Sequence, residues 1–247
     1  GRFVEVNGET VNILKKVIFL SDFFDGTYDI TIMPLIRLWG FYKEDQLKVP
    51  SQSDIDIIRP LVDYNKIEIL ENRVRIAEGQ EIITGSFIKA YAVDKLIEKV
   101  KEIGISDAII NAGGSTIYAL NDEVHPSWEI ITRNPDDESL LFILKIANCC
   151  YSTSSQSKTN INIEGKQYGH ILNPATGYPS PNKQVGIVSD SCMVGDIVST
   201  GLFNETSEGF LKKMDSLSKY YKLEGYIINE NGGITCTEGF SYYHNSL

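Results

Sequence analysis

Apolar Val11, Leu14, Ile18 and Phe19 recur at helical spacing within residues 10–24, and Asp25-Gly26 ends the pattern as a C-terminal cap would. A helix is expected there. Residues 26–35 read instead as an extended apolar segment that reaches Trp39-Gly40-Phe41. Between Pro50 and Pro60, Ser53 can cap a short helix carrying Ile55, Ile57 and Ile58. Residues 66–76 suit a strand hairpin turning at Glu71-Asn72. A turn of small residues at 84–86 leads into a helix that runs to Gly104. Residues 107–120 predict strand, turn and strand, the turn falling on Asn111-Ala112-Gly113-Gly114-Ser115. Strand-like runs follow at 128–132 and 140–146, and the serine-rich stretch 152–157 reads as a polar loop. The remainder predicts a strand at 184–188, a helix at 190–203 capped by Asp190 or Ser191, and a helix from 207 to about 221. A closing hairpin pairs 225–228 with 234–237 through Asn231-Gly232-Gly233. Strands that alternate with long helices and also pair as hairpins predict an α+β protein, with a mixed β-sheet in a single domain over 1–247.

Composition narrows the function. With 42% hydrophobic and 23% charged residues, 247 residues can bury one sizeable core or two small ones. The formal net charge of -10, with no visible cluster of Lys and Arg, argues against a nucleic-acid surface. Small ligands or proteins are the expected partners. No run of 18 uninterrupted apolar residues occurs, and Gly1-Arg2-Phe3 resembles neither a signal peptide nor an initiator. The four cysteines, Cys149, Cys150, Cys192 and Cys236, form no CxxC pair, so buried free thiols are expected.

Three places offer chemistry. His170 is one of three histidines, and Pro174, Gly177 and Pro179 follow it closely, which predicts a strand-end histidine held by a rigid loop; a solvent-facing loop histidine is the alternative. Lys89, near a helix start whose amides favour an anion, could bind a phosphate or be an ordinary solvated charge. Asp196 and Thr200 lie four apart on one predicted helix face, where a carboxylate and a hydroxyl can share a hard cation. Asp29 follows a flexible glycine and could simply cap a turn. The paired glycines Gly113-Gly114 do not fit GxGxxG, so no dinucleotide fingerprint is present.

Taken in order, Gly26 to Leu35 with Leu38-Trp39-Gly40-Phe41, then Gly85 to Asp94, Asn111 to Gly114, His170 to Gly177 and Gly195-Asp196 to Thr200 resemble the FAD:protein FMN transferase, or ApbE-like, family across nearly the whole chain. The resemblance implies an ApbE-like, T-fold-like domain and Mg2+-dependent transfer of FMN from FAD to a threonine of an acceptor protein, with AMP leaving. Thr27, Tyr28, Asp29, Lys89 and Ile171 match FAD contacts. Ser86, Asp196 and Thr200 match magnesium ligands, and His170 matches the catalytic residue. Two alternatives stay open: an FAD pyrophosphatase giving FMN and AMP, and an inactive FAD-binding protein on the same fold. The sequence departs from the family at Asn173, where an Asp beside the histidine is usual, and at Ile83, Ala90 and Ser115. The chain is expected to lack the family's N-terminal segment, whose Met-Gly-Thr block also touches the flavin. The family further implies an extracytoplasmic lipoprotein, attached to the membrane only through a lipid anchor outside this chain.

Overall fold

The computed structural model describes residues 1–41, 48–157 and 159–244. In chain order, strand β1 (Val4–Glu5) precedes helix α1 (Gly8–Phe23), where the Asn7 side chain accepts the Thr10 amide at 2.8 Å and so caps the start. Asp25 (φ 52°) and Gly26 (φ 75°) turn the chain away at the other end, as the pattern predicts. The apolar run after Gly26 is not extended throughout: Met33–Trp39 is helix α2. Pro34 suits a first helical turn, which needs no amide from it, and a continuous apolar run does not distinguish a buried helix from a strand. Helix α3 (Gln52–Ile58) is capped by Ser51 rather than Ser53: the Ser51 Oγ accepts the Asp54 amide while the Asp54 carboxylate accepts the Ser51 amide, both at 3.2 Å. Strands β2 (Glu68–Leu70) and β3 (Arg73–Arg75) form the expected hairpin, with Glu71 at φ 54°.

Helix α4 (Ile88–Glu102) is followed by β4 (Ala108–Ala112) and β5 (Thr116–Leu120), joined by the left-handed glycines Gly113 and Gly114. Strands β6 (Trp128–Arg133) and β7 (Leu140–Ile146) make a separate hairpin. The serine-rich stretch is largely strand β8 (Cys149–Ser155), not a loop. Its hydroxyls find partners inside the protein, so polarity does not drive it to the surface. An unexpected hairpin of β9 (Asn160–Ile163) and β10 (Lys166–Gly169) turns on Glu164 (φ 53°) and Gly165 (φ 83°). Strand β11 (Gln184–Ser189), helix α5 (Cys192–Gly201) capped by Ser191, helix α6 (Ser207–Leu217), β12 (Leu223–Ile228) and β13 (Ile234–Cys236) complete the chain. Helix α6 stops four residues before the expected end. Among the described residues, no helix is long and apolar enough to cross a membrane.

Two compact units emerge. The first comprises residues 1–84 and 158–180. It holds the small sheet β1-β3-β2, the β9–β10 hairpin and helices α1 to α3. Its core includes Leu35, Ile36, Trp39, Ile55, Ile163 and Leu172.

The second unit comprises residues 85–157 and 181–247. It is built on a six-stranded sheet in the order β13-β12-β11-β8-β5-β4. The α+β class holds, but every pairing in this sheet is antiparallel, whereas a mixed sheet is expected from the alternation of helices and strands. Here helices separate strands that still lie side by side and antiparallel, so no parallel crossover is needed. Alternation along the strands separates the two faces. Ile117, Ala119, Cys149 and Tyr151 join Ile130, Leu144 and Ile146 of the β6–β7 hairpin in one core; Tyr118, Leu120 and Cys150 join Ala90, Val93 and Ile97 of α4 in another. Gly195 is what lets α5 approach β8: a Cβ there would lie 2.8 Å from the Ser152 Oγ.

Candidate active site

The second unit places a carboxylate inside the protein. Asp196 sits on α5 with 6% of its surface exposed, and its Oδ1 accepts the Thr116 hydroxyl of β5 at 3.0 Å. Burial pushes its carboxyl up to about 7, against the opposing influence of the Lys89 charge and of hydrogen bonds from Thr116 and Ser152. One turn on, the Thr200 hydroxyl donates to the Asp196 backbone carbonyl at 3.0 Å and lies 3.1 Å from the Ser154 hydroxyl of β8. Asp196 and Thr200 thus stand one turn apart on α5, as their spacing predicts. Asp94 of α4 holds the start of α5: its carboxylate accepts the Ser191 hydroxyl (2.8 Å) and the amides of Cys192 (2.7 Å) and Met193 (3.1 Å). An anion at a helix N-terminus is favoured by the aligned peptide dipoles.

Lys89 lies in the first turn of α4, a start that no side chain caps, and its ammonium donates to the Ser115 hydroxyl in the β4–β5 turn. Ser86 occupies the turn before α4. No group of three or more His, Cys, Asp and Glu gathers as a metal cluster among the described residues. The donors available are one carboxylate with hydroxyl and backbone oxygens, a hard set. Such a set suits Mg2+, which takes few protein ligands and keeps water or phosphate oxygens for the rest. By the chemistry of these donors, the residues fit the ion.

In the first unit, His170 follows β10 directly. Its backbone amide and its Nδ1 both meet the Thr159 carbonyl, at 3.2 and 3.0 Å. A carbonyl oxygen only accepts, so Nδ1 carries the proton and the neutral ring keeps its lone pair on Nε2. Burial pushes the imidazole below its ordinary 6.5, with the Thr159 bond opposing. The loop beyond is pinned. Asn173 Oδ1 accepts the Ala175 (2.9 Å) and Thr176 (3.3 Å) amides, and the Trp39 indole donates to the Gly177 carbonyl at 2.7 Å. Asn173 thus builds the turn through an oxygen that an aspartate would also supply. Ile171 is buried, and its carbonyl accepts the Ser180 amide at 2.9 Å.

Asp29 is buried, with Oδ1 accepting the Thr31 amide and hydroxyl (both 2.7 Å) and Oδ2 the Tyr64 amide (3.0 Å). Burial raises its carboxyl while these bonds resist. Tyr28 is buried beside it, and the Thr27 hydroxyl donates to the Phe24 carbonyl at 2.9 Å, closing the end of α1. The sequence reading missed Thr116, Ser154, Thr159 and the capping by Asp94. Each acts on a residue far along the chain or through a backbone carbonyl, and no spacing rule signals either.

The first unit fixes a neutral histidine at a strand end; the second carries Lys89 on α4 and Asp196 and Thr200 on α5, beside an antiparallel sheet. Both units combine helices with antiparallel strands, an α+β protein. The chain belongs to the ApbE family, whose profile matches residues 1–222. It is similar to the FAD:protein FMN transferase of Vibrio cholerae, with 28% identity over 204 residues, covering 80% of this chain and 61% of that protein. The enzyme of that name from Escherichia coli K12 is 27% identical over 190 residues, covering 72% and 54%. The crystal structure of the ApbE protein from Thermotoga maritima superposes with a TM-score of 0.90 at 25% identity, covering all of this chain and 81% of that one. The chain spans about three fifths of the length of the Vibrio cholerae relative.

Proposed function

We propose that this protein transfers FMN from FAD to a threonine hydroxyl of an acceptor protein and releases AMP, with Mg2+ as the required ion. Membership of the ApbE family and relatives named FAD:protein FMN transferase support this reading. The observation that carries it is the buried Asp196, with Thr200 one turn on and the charge of Lys89 acting on it. That combination suits a cation and a pyrophosphate.

In the first unit, His170 Nε2 takes the proton of the acceptor hydroxyl, and burial keeps the ring neutral at pH 7. The acceptor oxygen bonds to the phosphorus of the FMN half while the bond from that phosphorus to the AMP oxygen breaks, and AMP leaves with the electron pair. Thr27, Tyr28, Asp29 and Ile171 are assigned to FAD, with Asp29 acting by shaping the backbone through Thr31 and Tyr64. In the second unit, Lys89 binds phosphate oxygens, and Asp196, Thr200 and Ser86 hold the ion. Bound there, Mg2+ would offset charge on the pyrophosphate as the bond to AMP weakens.

Incubation with FAD, Mg2+ and a threonine-bearing acceptor domain is expected to give a covalently fluorescent band, with mass spectrometry locating FMN on the threonine. Release of FMN and AMP without an adduct would replace transfer by hydrolysis. Tight FAD binding with neither product would leave a binding protein.

A further inference from the structure

Two neighbouring residues in the second unit divide the charged groups between them. Lys89 gives its ammonium to the Ser115 hydroxyl, and Asp196 takes the Thr116 hydroxyl at 3.0 Å. The two charges are close enough to influence each other, yet among the described residues they form no ion pair with one another. We propose that the dipeptide Ser115-Thr116 keeps Lys89 and Asp196 from closing into an ion pair, leaving the carboxylate to a divalent cation and the ammonium to a phosphate. The proposal rests on the reading of Asp196 and Thr200 as cation ligands.

The dipeptide is itself rigid. Gly113 and Gly114 turn the chain at φ 72° and 77°, and the Asn111 Oδ1 accepts the Gly114 amide at 2.7 Å. The Ser115 carbonyl accepts the Thr153 amide at 2.8 Å, and Thr116 pairs in register with Ser152, both partners lying on β8. Thr116 is fully buried, so its hydroxyl has no water to compete for the carboxylate. Lys89 is half-buried and Asp196 buried; an ammonium and a carboxylate that reach each other attract, and a lysine side chain is long and flexible. Ser115 removes that option by giving the ammonium another acceptor. Thr116 adds to it by fixing Oδ1, so that the carboxylate cannot swing toward the lysine. Ser115 and Thr116 are therefore positioning residues.

The test uses the full chain and Mn2+ as the probe, with free Mn2+ read from its electron paramagnetic resonance signal and thermal melts recorded in parallel. Thr116→Val keeps the shape and loses the hydroxyl; about tenfold weaker Mn2+ binding is expected, in line with other residues that orient a metal ligand. Thr116→Ser restores the donor and should bind within about twofold of the unaltered protein. Ser115→Ala should weaken Mn2+ binding about threefold to tenfold, because Lys89 then competes for Asp196. That loss should vanish when Lys89→Met is already present, as the coupling between two contacting residues requires. Equal losses from Ser115→Ala with and without Lys89, or undiminished Mn2+ binding by Thr116→Val, would overturn the proposal. If Asp196→Ala binds Mn2+ as well as the unaltered protein does, the cation reading falls and the proposal with it. If Asp196→Ala alone abolishes binding and the other variants change nothing, only the proposal falls.

Discussion

His170 and Asp196 are held rigid by different means. Around His170, in the first unit, the backbone is irregular, and order comes from clamps: the Thr159 carbonyl on Nδ1, the Asn173 oxygen on two amides, the Trp39 indole on the Gly177 carbonyl. Around Asp196, in the second unit, order comes from regular elements, with β5 and β8 supplying Thr116, Ser152 and Ser154 beneath a helix whose start is tied to Asp94. A loop site depends on each clamp separately, whereas a site on packed elements spreads its support over a sheet. The two should therefore fail differently: stepwise in the first case, through electrostatics in the second.

The largest expected effect strikes the group to which the loop clamps lead. His170→Ala should slow the proposed FMN transfer by about 10²–10⁴-fold while leaving FAD binding in place, as loss of a general base does; single-turnover kinetics reads both. Transfer at the normal rate would remove the histidine from the reaction.

Asp196→Asn addresses the electrostatic side. Between about pH 4 and 7 the folded protein keeps a proton on Asp196 that the unfolded chain releases, so metal-free stability falls as pH rises through that window. A carboxyl moved from 3.8 to about 7 carries on the order of 4 kcal/mol at pH 8. Asn keeps an oxygen for Thr116 and cannot ionise. The variant should therefore melt higher than the unaltered protein at pH 8 without metal, and equally at pH 4. Added Mg2+ should stabilise only the unaltered protein.

Gly177→Ala tests one clamp of the loop. Gly177 has φ 76°, and a Cβ would lie 2.5 Å from the Ile55 Cγ2, so about 2 kcal/mol of destabilisation is expected in urea titrations. Trp39→Phe keeps the ring in the core but loses the bond to the Gly177 carbonyl, for about 1 kcal/mol. The smallest effect belongs to Asn173→Asp: a carboxylate oxygen can accept the same two amides, so stability should change by less than about 0.5 kcal/mol. A large rise in transfer rate with Asn173→Asp would show that charge beside His170, not loop geometry, limits the base.

Most helices and strands were legible as pattern. The Val11-Leu14 spacing, the paired glycines at 113–114 and the hairpin at 231–233 each lead to the element found, because periodicity and turn chemistry are local properties. Two of the departures share a cause. Met33–Trp39 and Cys149–Ser155 take their conformation from burial, the first as a helix packed in its core and the second as a strand whose serines find partners on α5 and on cysteine. Composition without a partner list argues the other way in both places.

His170, Lys89, Asp196 and Thr200 stand out in the sequence by residue type and by the order of their blocks. Residue type alone determines what protons, charges and lone pairs they can offer. Tertiary structure decided which form each offers: Nδ1 protonated on His170 through the Thr159 carbonyl, and a carboxyl near 7 on Asp196 through burial. Protonation and orientation are properties of surroundings, and the groups that set them, Thr116 and Ser154 among them, come from strands 80 and 46 positions away in the chain.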